Sequence, residues 1–208
     1  MTSTLLPAFA KGFALSAGLI VAIGAQNMFV LRQGLKREHV WPVVLFCAAA
    51  DAALIIAGVS GLGGMLALVP GLSLLLGLGG AAFLSWYGAL ALRRAANPSA
   101  LILDHQASMT LGAALAGTAA FTFLNPHVYI DTVMLMGAVG ASLPPVERPL
   151  FMAGAASASF AWFASLGFGA RFLAPIFTRP VAWRILDLGI GLMMLALAVS
   201  LLHGALID

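Results

Sequence analysis

Two aspartates, a histidine and three amide side chains lie in stretches that are otherwise almost wholly apolar. Asp51 ends the run C-A-A-A-D, and Asp131 falls near the end of L-N-P-H-V-Y-I-D-T, Leu124 to Thr132. A carboxylate near the centre of a bilayer costs roughly 2.5–3.5 kcal/mol, so it is kept there for a cation, a proton or an ion path. Burial disfavours its charged form, which lets such a group exchange a proton for a cationic substrate. Asp51 and Asp131 are therefore the candidate cation sites. The competing structural roles are an ion pair of Asp51 with Lys11, or hydrogen bonds to serine or threonine. His127, four residues before Asp131, shares its helical face and either orients the carboxylate, relays a proton or packs as a neutral ring.

Asn125-Pro126 is the second feature. Asparagine is a good helix N-cap and proline suits the first helical position. The pair predicts a half-helix beginning at Pro126, with free backbone N–H groups facing the membrane interior. The alternative is a simple proline kink. Gln26 and Asn27 lie in a similar break, Gly24-Ala25-Gln26-Asn27, inside the first apolar run. There Asn27 is expected to begin a matching half-helix from the opposite side. Two positive helix ends converging on one cavity suit a carboxylate.

These residues need elements that hold them at depth, and the composition supplies them. Of 208 residues, 62% are hydrophobic and 8% charged, against about 25% charged in soluble domains, so the chain is an integral membrane protein. Its long unalternated apolar runs exclude a β-barrel. The net charge of +3 does not signal nucleic acid, because the basic residues cluster in short loops. Cys47 is the only cysteine, which excludes an intrachain disulfide, a zinc cluster or a C-x-x-C redox pair. No cofactor is expected. The N-terminal stretch lacks a basic leader, so its first segment is read as a membrane helix.

Six apolar runs follow in order: about 5–31, 41–66, 72–92, 111–136, 150–169 and 185–206. Helices of about 20–26 residues reach roughly 30–39 Å, enough to cross. Residues 95–110 are polar and broken by Asn97-Pro98, and form a central linker between halves 1–94 and 111–208. Loops one, three and five carry eight of the ten basic residues, leaving Lys11 and Arg148 opposite, which places those loops and the linker in the cytoplasm and both termini outside. Three helices in each half then makes the halves inverted repeats, and paired broken helices at corresponding positions point to a transporter's binding site.

The other polar and aromatic residues have blander readings. Asp187 is expected to pair with Arg184 or to cap its helix. Arg32, Arg93 and Arg94 read as interfacial anchors, and Trp41, Trp86, Tyr87 and Trp183 as membrane-belt residues. Gly58, Gly61, Gly77, Gly80, Gly154 and Gly189 read as sites of close helix packing. Ser157 and Ser159 either face the cavity or join helices.

G-A-Q-N-M-F-V-L-R-Q-G (Gly24 to Gly34), together with L-N-P-H-V-Y-I-D-T, resembles the LysE family of basic amino acid exporters, in particular its arginine exporter branch. The resemblance runs nearly the whole length and includes C-A-A-A-D, F-L-S-W-Y-G around Trp86, and S-A-S-F-A-W-F ending at Phe163. It implies export of L-arginine, L-lysine or analogues such as canavanine across the bacterial inner membrane, driven by the proton gradient or membrane potential. The family's paired intramembrane aspartates fall on Asp51 and Asp131, and its polar motif residues on Gln26, Asn27, Asn125 and Pro126. Ala25 stands where the arginine branch has proline, and Asp187 where that branch needs no acid, so arginine versus lysine stays open. The rival substrates are a divalent metal cation or a neutral amino acid. A membrane enzyme would need a nucleophile–base pair or a motif such as H-E-x-x-H, which is absent. The sequence does not fix whether the chain is a homo-oligomer.

Overall fold

The computed structural model describes residues 5–21, 24–62, 71–96 and 108–207, and all regular structure among them is helical. The first apolar run is two helices, α1 (Leu5–Ile20) and α2 (Ala25–Lys36), meeting at 85°. α3 (Val40–Ala57) runs on into a π-helical turn, Gly58–Leu62. Gly61, at φ 99°, takes a left-handed conformation there that favours glycine. α4 is Leu72–Ala96. The fourth run is again broken: α5 (Leu111–Phe123) precedes α6, which starts at Pro126–Val128, passes through a π-helical Tyr129–Leu135 and ends as Met136–Ala141. α7 (Arg148–Gly169) and α8 (Pro180–Ile207) complete the bundle.

Each apolar run of the sequence thus carries helix. Among the described residues, Val40–Gly61, Arg148–Phe172 and Pro180–His203 are long and apolar enough to cross a membrane, and the bent α1–α2 pair meets the same test only when its two helices are taken together as one span. The chain is an all-helical membrane protein. Most of the central linker, with Asn97-Pro98, and Pro70 lie outside the described residues.

Packing runs mainly between the two halves: α8 lies on α4, α7 on α1, α2 and α3, and α3 also on α5 and α6. Glycines permit the closest approaches. A Cβ at Gly12 would fall on the carbonyl of Phe151, and one at Gly154 on that of Phe9, so α1 and α7 touch backbone to backbone. Gly58 and Gly80 are closed in the same way, by the carbonyls of Val133 and Leu124. Gly189 and Gly61 are not packing sites, since a Cβ at either would meet nothing within 4 Å.

Several expected surface residues are interior. Trp41 and Trp86 are 57% and 60% exposed, as a lipid-facing belt requires, but Tyr87 and Trp183 are both buried. Trp183 donates its indole N–H to the Phe177 carbonyl at 2.7 Å. Arg32 and Arg94 are not anchors in the headgroup layer. Both turn inward to Asp187, whose partner is therefore not its sequence neighbour Arg184. A cation nearby offsets the cost of burying this carboxylate, and the bundle brings two from other helices.

Candidate functional site

The two helix breaks and the two intramembrane aspartates converge on one cavity of about 340 Å³. Its walls include Gln26, Asn27, Asp51, Asn125, His127 and Asp131, so every expected site residue but Pro126 lines it. Pro126 stands between two that do, as the first residue of α6.

The second break forms as its local sequence requires. Asn125 is extended (φ −97°, ψ 107°), and its side-chain oxygen accepts from the backbone N–H of His127 at 3.1 Å. Pro126 follows at the first helical position, where its missing donor is not needed. The helix therefore begins at the cavity wall, but its first-turn donors are not the free groups expected from sequence: His127 N–H bonds the Asn125 side chain, Val128 N–H the Asn125 carbonyl and Tyr129 N–H the Pro126 carbonyl. Tyr129 completes the break by donating its hydroxyl to the freed carbonyl of Phe123 at 2.9 Å. Asn125→Ala should lower stability by about 1 kcal/mol, the usual cost of losing an N-cap. Thermal unfolding of detergent-solubilised protein measures it, and an unchanged midpoint would contradict the capping role.

The first break differs from expectation. Its N-cap is Gly24, extended at φ −116° and ψ 177°, and Asn27 lies inside α2 without capping it. Asn27 instead donates its side-chain amide to the Ile20 carbonyl at 2.9 Å, tying the end of α1 to the start of α2. Its oxygen accepts the indole N–H of Trp162 at 3.3 Å. Both breaks thus satisfy a freed carbonyl with a side chain from beyond the break, amide in one and phenol in the other. Neither Trp162 nor Tyr129 was singled out from sequence. Trp162 lies one turn beyond Ser159 in the S-A-S-F-A-W-F motif, and that shared face is the signal that was available.

Asp51 is 8% exposed on α3. Its neighbour is Ser159 of α7, whose hydroxyl lies 3.4 Å from that of Ser16 on α1. Lys11 is exposed and does not pair with Asp51. Ser157, by contrast, bonds back to the Ala153 carbonyl and has no part in the cavity. Asp131 is half-buried within the π-helical segment of α6, a distortion frequent at functional sites. His127 is exposed on the same wall. Gln26 contributes a buried Nε2 that has no hydrogen-bond partner among the described residues.

The cavity therefore holds two carboxylates on one hand and the Gln26 amide with the positive end of α6 on the other. It can receive a small molecule bearing both charges. A polar cavity at paired helix breaks within a membrane bundle is the architecture of a transporter. The chain belongs to the LysE type translocator family, whose profile matches residues 17–205. It is 47% identical over 184 residues to "Putative amino-acid transporter Rv0488" of Mycobacterium tuberculosis, covering 88% of this chain and 91% of that one. To "Putative amino-acid transporter YggA" of Aeromonas salmonicida it is 43% identical over 199 residues, 95% and 96% of the two chains. No solved structure matches it. Membership makes it a transporter and not an enzyme.

Proposed function

We propose that the protein is a secondary active exporter of basic L-amino acids, arginine or lysine, in the bacterial inner membrane, coupled to the proton gradient or the membrane potential. The observation that carries this reading is the one cavity shared by Asp51, Asp131, the start of α6 and Gln26. In it the cationic side chain of the substrate meets a carboxylate. The α-carboxylate meets the positive end of α6 at Asn125–Pro126 and the buried side-chain amide Nε2 of Gln26. About 340 Å³ is at the small end of the roughly 300–1,000 Å³ typical of ligand sites, a volume suited to one amino acid.

The chain crosses the membrane six times, as two inverted three-helix halves with both termini outside. What supports this is the packing pattern. Exchanging the first span with the fourth, the second with the fifth and the third with the sixth leaves the set of touching pairs unchanged. α4 on α8 and α3 on α7 map onto themselves, and α1–α2 on α7 maps onto α5–α6 on α3. Transport then rocks one half against the other around the cavity.

Counterflow tests the substrate. Proteoliposomes loaded with unlabelled arginine should take up labelled arginine, and external arginine or lysine should block the uptake. Inhibition by leucine or Mn²⁺, with indifference to both basic amino acids, would overturn the substrate assignment.

A further inference from the structure

The cavity lies to one side of a second, unassigned polar cluster. Its walls come from the end of α1, the α6 start, and residues such as Ile55, Leu197 and Leu201 towards the end opposite the basic loops. Towards the basic loops lies a layer of aromatic packing. Phe121 lies 5.2 Å from Phe29 and 4.9 Å from Tyr87, centroid to centroid, joining α5, α2 and α4. Beyond that layer Asp187 of α8, 1% exposed, accepts from Arg94 Nη2 at 3.1 Å and Nε at 3.3 Å. Arg32 of α2 approaches the same carboxylate at 3.8 Å, and the Arg94 guanidinium stands 5.8 Å over the Tyr87 ring. Beside the cluster, the buried Tyr87 hydroxyl has no hydrogen-bond partner among the described residues.

We infer that the Arg32–Asp187–Arg94 cluster is the cytoplasmic gate of the carrier and the first docking site for a basic amino acid leaving the cytoplasm. The inference rests on the substrate and topology proposed above. The cluster joins helices of both halves, so no rocking motion can open this side without parting it. Parting it takes the buried Asp187 carboxylate from both of its guanidinium partners, a cost that holds the gate shut. A basic amino acid avoids that penalty by exchanging partners. Its side-chain cation takes the place of the Arg94 guanidinium against Asp187 and the Tyr87 ring, and its carboxylate receives the displaced arginine. The Tyr87 hydroxyl, which has no partner among the described residues, offers it a hydrogen bond on the way. Leucine has no side-chain cation to make the first exchange.

The test uses a reporter behind the gate. Ala91 on α4 is fully buried one turn before Arg94. An Ala91→Cys substitution in a Cys47→Ala background is labelled, in inside-out vesicles, with a membrane-impermeant maleimide. Labelling should be slow in the otherwise unchanged chain. It should rise roughly fivefold or more with arginine but not leucine, the low end of coupling between linked sites. Asp187→Asn should raise it with no substrate present. Equal rates with and without Asp187→Asn would overturn the gate. If that variant does not fold, the arginine arm decides alone, and a rate that ignores arginine overturns the docking role. Arginine counterflow by the unmodified protein separates these outcomes from a wrong substrate assignment. Labelling governed by Asp187 in a chain that exchanges no arginine keeps the gate and removes its proposed ligand.

Discussion

Asp131→Asn should reduce arginine counterflow by roughly 10- to 150-fold, which is what losing a charge-assisted contact of about 1.5–3 kcal/mol implies. Asparagine has nearly the same volume and keeps a hydrogen-bonding head, so the substitution removes the charge and little else. Asp131 is half-buried in α6 and has no ion pair among the described residues, so no buried cation is stranded by the change. The variant should accumulate in the membrane like the parent, and the loss should fall on transport alone. Asp51→Asn should lose transport to a similar degree, with some cost in stability because Asp51 is more deeply buried beside Ser159. The measurement is initial counterflow rate per folded carrier, quantified by gel filtration in detergent. A rate within twofold of the parent for Asp131→Asn would remove that carboxylate from the transport site.

What could be read from the chain divides by range. The break at Asn125-Pro126 was legible because cap, proline and helix start are adjacent, and local chemistry fixes them whatever packs around them. The apolar runs were legible for the same reason, since a helix in lipid satisfies its own backbone. Asn27 was misassigned because its bonds are not local. It reaches back to Ile20 and across to Trp162, and the glycine before α2 already served as the cap. Asp187 went the same way: Arg184 was near in sequence, but α8 packs on α4 and delivers Arg94 instead. Tyr87 and Trp183 carry the amphipathic rings of belt residues, yet the bundle folds them inward. No residue pattern announces the π-helical turn that holds Asp131. Polar residues at depth marked the cavity, while their partners were set by helix packing that single-chain periodicity does not encode.

The largest effect on folding should come from a single methyl group between the halves. α1 and α7 meet through a reciprocal pair, Gly12 against the backbone of Phe151 and Gly154 against that of Phe9. At Gly154 a Cβ would fall on the Phe9 carbonyl, 2.9 Å from its carbon and 3.1 Å from the Phe13 nitrogen. Main-chain atoms cannot swing aside as a side chain can, so the helices must separate along the contact. Overpacking costs about 1–3 kcal/mol even where side chains give way, and Gly154→Ala should reach or exceed the upper figure. Gly189→Ala is the matched control: that glycine is exposed on α8 with nothing within 4 Å, so alanine should leave stability unchanged or raise it by about 0.5–1 kcal/mol. Thermal unfolding in detergent distinguishes the two, and similar midpoints would mean that α1 and α7 are not in backbone contact. The consequence extends to the cavity. Ser159 and Trp162 stand on α7 beyond Gly154, the first beside Asp51 and the second holding Asn27. Moving α7 outward withdraws both together, so any Gly154→Ala protein that still folds should also lose transport, through a contact that touches neither aspartate.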